Sequence, residues 1–110
     1  MHYGLPDSTV EEINAVFKKF FEVEQVVLYG SRAKGNYKPG SDIDLTLYGS
    51  ALTASLCNEI VSKLDDLLLP YKIDLSVFAA LKHPELEVHI ERVGVVFYQR
   101  SDAALDRVKV

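Results

Sequence analysis

Along the chain, short alternating apolar runs are interleaved with stretches whose apolar residues recur every three or four positions. Val10, Ile13, Phe17 and Phe20 share a helical phase. Just before them, Ser8-Thr9-Val10-Glu11 matches a capping box, in which serine and glutamate satisfy free end amides reciprocally. A helix is predicted from Thr9 to Phe20. Gln25 to Tyr29 (QVVLY) is short, β-branched and followed by glycine, which predicts a strand. A polar loop follows from Gly30 to Ser41, punctuated by Lys38-Pro39-Gly40. Asp42 to Tyr48 (DIDLTLY) alternates strictly and predicts a second strand. Thr53 to Leu69 carries Leu56, Ile60, Leu64, Leu67 and Leu68 on one face, a long helix stopped by Pro70. Lys72 to Phe78 (KIDLSVF) alternates again as a third strand. Pro84 after His83 marks a helix start, and Gly94 a C-terminal cap. Val95 to Tyr98 is a fourth short strand. The tail from Ser101 to Val110 is charged and weakly patterned, readable as a frayed helix or a docking segment.

The order helix, strand, strand, helix, strand, helix, strand predicts an α/β (α+β) architecture, a small mixed β-sheet with helices packed on one face. Its 110 residues, without repeat, linker or low-complexity tract, are read as a single domain spanning 1–110.

Side chains of a strand alternate between the two faces of the sheet. Ile43, Leu45 and Leu47 point one way; Asp42, Asp44, Thr46 and Tyr48 point the other. In the third strand Ile73, Leu75 and Val77 oppose Asp74, Ser76 and Phe78. Each strand thus has one side for helices to cover and one polar side left for a ligand. Aspartate is a poor strand former, so two on one strand need a reason. Asp42 and Asp44 lie about 6.6 Å apart along the strand. Asp74 joins them if the third strand pairs alongside. Three carboxylates on one face repel strongly, and hard divalent cations relieve that repulsion. Mg²⁺ in particular takes a few carboxylates together with phosphate oxygens. Two such ions can clamp an in-line phosphoryl displacement.

The preceding loop supplies the complementary parts. Gly30 lets the backbone approach a ligand closely. Ser31 offers a hydroxyl and an amide to a phosphate oxygen. Arg32, Lys34 and Lys38 add positive charge. The loop is not a P-loop, because Asn36-Tyr37 stands where Lys-Ser/Thr is required. Asp42-x-Asp44 does not open an EF-hand, because Leu47 occupies the glycine position. Asp-x-Asp alone reads equally well as a device against edge-to-edge aggregation. A third carboxylate in phase on another strand, beside a phosphate-suited loop, favours the metal site.

The net charge of −4 argues against a protein that grips nucleic acid backbone. The single cysteine, Cys57, excludes an intrachain disulfide and reads as a buried thiol in a helix. The start MHYGLPDST lacks a basic segment followed by an apolar run, and no apolar stretch approaches membrane-spanning length. A cytoplasmic location is the resulting expectation. His2, His83 and His89 have no partner at metal-ligand spacing and read as structural. Tyr37 reads as a solvated loop residue, and Asp65-Asp66 as a solvated helix face.

Gly30-Ser31, ten residues, then Asp42-x-Asp44, with Asp74 as a third carboxylate, resembles the signature of the DNA polymerase β-like nucleotidyltransferase superfamily. The resemblance is strong from Val26 to Phe78 and extends loosely to Gly94–Tyr98. The chain has no room for the added domains of the polymerases. It looks like a minimal nucleotidyltransferase, the stand-alone type paired with a HEPN-domain toxin in toxin–antitoxin systems. The resemblance implies AMP transfer from ATP to a tyrosine of that partner. It also implies that Gly30 and Ser31 bind the β- and γ-phosphates, and that Asp42 and Asp44 hold Mg²⁺. Asp74 is then the ligand of a second ion and helps deprotonate the acceptor. Arg32 and Lys34 are charge stabilisers. Two alternatives stay open: an antitoxin that acts by masking its partner, and the catalytic subunit of a small-molecule nucleotidyltransferase.

Overall fold

The structure is a computed structural model and describes residues 1–101. Four helices and four strands follow the chain as α1 (Asp7–Lys18), β1 (Gln25–Tyr29), α2 (Ser31–Lys34), β2 (Ile43–Tyr48), α3 (Ala54–Asp65), β3 (Ile73–Val77), α4 (Pro84–Val93) and β4 (Val95–Gln99). A short 3₁₀ turn, Phe78–Ala80, leads out of β3. The expected tail element falls on residues 102–110, outside the described part.

The sheet order is β3-β2-β1-β4. β1 pairs antiparallel with both β2 and β4, whereas β2 and β3 run parallel. The sheet is therefore mixed, as expected. A parallel pair needs a crossover, which α3 supplies. Ile43, Leu45 and Leu47 are fully buried beneath α1 and α3 with Ile13, Phe17, Val26, Leu28 and Ile60. The opposite face departs from the expectation of helices on one face alone. There α4 brings Ile90 onto Val27 and Tyr29, with Tyr48, Phe78, Leu81 and Leu86 around them. α4 thereby closes part of the polar face and leaves its carboxylate end uncovered.

Element boundaries shift where backbone chemistry outweighs periodicity. α1 begins at Asp7 with Pro6 as its N-cap, and no side chain caps it. The expected capping box is not formed, because the helix starts two residues earlier: the Pro6 carbonyl accepts from the amides of Thr9 and Val10, which places Ser8 inside the first turn. α3 ends at Asp65 rather than Leu69. Leu68 takes a left-handed φ of 54° and is 88% exposed, turning the chain toward β3. The spacing of Leu64, Leu67 and Leu68 fits a helix and a terminal turn equally well.

Two caps do form. The Thr53 side chain accepts from the Leu56 amide at 3.1 Å, and His83 Nδ1 accepts from the Leu86 amide at the same distance. Thr53→Ala is expected to cost about 1 kcal/mol, read as a lower urea midpoint with unchanged slope. Cys57 is half-buried, and burial pushes its thiol up from the ordinary value. Less thiolate forms near neutral pH, so Cys57 should react with Ellman's reagent more slowly than a free thiol. Full reactivity should appear only on denaturation.

Candidate functional site

The candidate site lies where β1 ends and β2 and β3 begin, beside the loop between Ser31 and Asp42. Parallel pairing of β2 with β3 sets Asp44 directly opposite Asp74, and Thr46 opposite Ser76. Period-2 alternation puts Asp42, immediately before β2, on the same side as Asp44. Asp42 and Asp74 are exposed, while Asp44 is half-buried. The three carboxylates expected to meet thus share one sheet face. Tyr29, across β1, is the antiparallel partner of Asp44. Ser76 donates its hydroxyl to Thr46 Oγ1 at 3.0 Å beneath them.

The electrostatics follow from this placement. The Asp44 carboxyl is held above its ordinary range, first by burial and then by the like charges of Asp74 and Asp42. His89 and Lys72 oppose that rise. Tyr29 is likewise pushed up by burial, with a hydrogen bond to Ser76 pulling the other way.

Gly30 forms the wall facing the carboxylates. Its φ of 76° and ψ of −155° belong to a region open essentially to glycine alone. A Cβ at this position would collide with the Asp44 carboxylate. Gly30 therefore does two things: it turns the chain from β1 into α2, and it leaves room beside Asp44. Ser31 starts α2 and is half-buried; Lys34 ends it and is exposed. Gly35 then caps α2 with φ 84° and donates to the Ser31 carbonyl at 2.9 Å.

Arg32 is not where the sequence reading put it. Its side chain is 2% exposed, the largest of the fully buried side chains. Nε and Nη2 donate to the Ser41 carbonyl at 3.1 and 2.9 Å, and Nη1 donates to the Tyr3 carbonyl at 2.9 Å. The guanidinium also lies 5.3 Å from the Tyr37 ring centre and 5.2 Å from that of Tyr71. A buried charge persists only when paired or hydrogen-bonded, and these carbonyls and rings meet that need. Arg32 is thus committed to the loop's interior and does not face a ligand. Tyr37 is exposed, as expected for a loop tyrosine, and one face of its ring lies against the guanidinium.

Two residues beside Asp44 were missed. Lys72 shares the phase of Asp74 on its strand, a signal that was available. His89 comes from α4, with its ring 6.3 Å from that of Tyr29 in an edge-on arrangement. Only the packing of α4 on the second sheet face brings it there.

Among the described residues, no three His, Cys, Asp or Glu side chains converge closely enough to enclose a metal ion. The donor chemistry nevertheless suits Mg²⁺, which keeps waters and phosphate oxygens rather than a complete protein cage. The all-carboxylate set, the mutual repulsion at Asp44 and the space left by Gly30 all fit such a cation. No helix among the described residues is long and apolar enough to cross a membrane.

The fold resembles several solved structures. A chain of a toxin–antitoxin complex crystallised with AMP-PNP matches with a TM-score of 0.67 and 21% identity, over 91% of this chain and 82% of that one. A chain of the MntA–HepT toxin–antitoxin complex matches at 0.63 and 19%, over 94% and 82%. A chain from the complex of tri-AMPylated Shewanella oneidensis HEPN toxin with MNT antitoxin matches at 0.62 and 19%, over 93% and 80%. No curated protein matches the sequence significantly. The family profile described as "Polymerase beta, Nucleotidyltransferase" matches residues 11–103, which contain every element from β1 to β4 and all three carboxylates, so the chain belongs to that nucleotidyltransferase family.

Proposed function

We propose that this protein transfers a nucleoside monophosphate, AMP from ATP, to a tyrosine hydroxyl of a HEPN-type partner protein and releases pyrophosphate. The observation that carries the reading is the register of β2 and β3, which sets Asp44 opposite Asp74 beside Gly30 and Ser31. Membership of a nucleotidyltransferase family supports the reaction class. The AMP-PNP in one structural relative supports the donor. The tri-AMPylated toxin in another supports the acceptor and the partner.

In this reading the whole chain acts as a minimal nucleotidyltransferase. Gly30 and Ser31 receive the β- and γ-phosphates, where Gly30 admits a close approach and Ser31 offers its hydroxyl and amide. Lys34, and Lys38 across the loop, supply positive charge toward the triphosphate. Asp42, Asp44 and Asp74 would hold Mg²⁺, whose bound charge would offset that of the phosphates. Asp74, on the exposed edge strand, faces the acceptor and takes the proton from its hydroxyl. The freed oxygen attacks the α-phosphorus; the bond to the β-phosphate oxygen breaks, and pyrophosphate leaves with the electron pair. His89 and Lys72 limit the repulsion at Asp44 while the site is empty.

The test is to recover the tagged protein with its bound partner, add Mg²⁺ and α-labelled ATP, and weigh the labelled species intact. A partner that gains whole AMP units supports the proposal. A stable partner that takes no label from any of the four nucleotides replaces it with an antitoxin that works by masking. Label on a small molecule instead identifies a small-molecule nucleotidyltransferase.

A further inference from the structure

We propose that Arg32 is a positioning residue that clamps the loop between Ser31 and Asp42 onto the N-terminal turn, making residues 1–5 part of the framework of the nucleotide site. The geometry is specific. The guanidinium fork grips the Ser41 carbonyl with two donors, one residue before Asp42. The remaining arm reaches the Tyr3 carbonyl, far away in sequence. Arg32 itself directly follows Ser31, so a single side chain ties together both ends of the loop.

The acceptor at Tyr3 is presented by an unusual turn. His2 and Leu5 exchange two backbone hydrogen bonds, at 3.0 and 2.8 Å. Between them Tyr3 and Gly4 both take left-handed backbone, with φ of 57° and 74°. That conformation is strained for tyrosine and persists only where its surroundings hold it. A Cβ on Gly4 would strike the Tyr37 ring and come to 3.0 Å from Arg32 Nη1. Leu5, fully buried, anchors the turn to the core. Within the loop, the Lys38 amide donates to Ser41 Oγ at 2.8 Å, and the Ser41 amide to the Lys38 carbonyl at 3.0 Å. The loop is therefore closed on itself at 38–41 and fastened to Arg32 at Ser41. Lysine offers one nitrogen in place of three spread over a planar fork, so it cannot reproduce the paired contact to the Ser41 carbonyl together with the separate contact to the Tyr3 carbonyl.

The proposal rests on the nucleotidyl-transfer reading for its effect on rate, and its test separates the two. Arg32→Lys and a deletion of residues 1–4 are compared with the intact protein by melting temperature, hydrogen–deuterium exchange, binding of AMP-PNP with Mg²⁺, and transfer kinetics. The clamp predicts that both variants stay folded and exchange the Lys38 and Ser41 amides about tenfold faster or more. It also predicts a kcat about 10- to 100-fold lower, with a smaller change in KM for ATP. A lowered melting temperature with loop exchange and kcat unchanged would overturn the proposal and leave Arg32 as general support. If Arg32→Lys does not fold, the deletion decides, since it leaves the guanidinium in place. If even the intact protein neither binds AMP-PNP nor transfers nucleotide, the functional reading fails, and loop exchange alone still upholds or overturns the clamp.

Discussion

Asp44→Asn should lower nucleotidyl transfer about a thousandfold while leaving the melting temperature unchanged or slightly raised. Both halves of this result come from the surroundings of one carboxylate. Asp44 is the most enclosed of the three acidic residues, and burial together with Asp74 and Asp42 disfavours its charge. In the folded protein without ligand that charge is a net burden, and the isosteric neutral amide relieves it. With a divalent cation and triphosphate bound, the same charge becomes the attraction that orders the reacting groups, which the amide cannot supply. A transfer assay and scanning calorimetry on one preparation test both halves. Normal transfer by Asp44→Asn would remove the carboxylates from the mechanism. A large fall in melting temperature would mean that the Asp44 carboxylate also holds the fold together.

Gly30→Ala is expected to cut transfer about a hundredfold and to destabilise the protein by about 1–3 kcal/mol. Two effects combine in this change. The backbone at φ 76° and ψ −155° resists any side chain. The new methyl group would also be driven against the Asp44 carboxylate. Gly35→Ala separates them. It shares the left-handed backbone at φ 84°, but nothing lies within 4 Å of its added Cβ. It should lose about 1 kcal/mol of stability and keep most of its activity. Equal loss of transfer in both variants would assign the effect to loop backbone rather than to the space beside Asp44.

The sheet and its carboxylates were legible because period-2 alternation is a local property. DIDLTLY and KIDLSVF each declare which residues share a face, while the parallel pairing that sets Asp44 opposite Asp74 is seen only in the fold. What was not legible depends on contacts distant in sequence. SRAK is a single helical turn, too short for any periodicity, so α2 was hidden within a loop. The burial of Arg32 was hidden because its acceptors are carbonyls at Tyr3 and Ser41 and its stacking partners are Tyr37 and Tyr71. Composition alone places an arginine in solvent. His83-Pro84-Glu85-Leu86 announced the start of α4, but no pattern in that helix states which sheet face it covers. That choice delivers His89 to Asp44 and reduces the open polar surface to its carboxylate end.

Among the described residues β3 stands at the edge of the sheet, hydrogen-bonded on one side only, and it carries Asp74. Asp42 and Asp44 belong instead to the β1–β2 hairpin at the centre, whose strands are neighbours in sequence. The acidic constellation is thus divided between a robust unit and a peripheral one. Brief release of the edge strand would withdraw Asp74 while the hairpin stayed intact, since peripheral strands open at lower free energy than central ones. In such a protein, activity would decline before global unfolding on mild warming, and a partner that braces β3 would raise the temperature at which activity is lost more than the melting temperature itself.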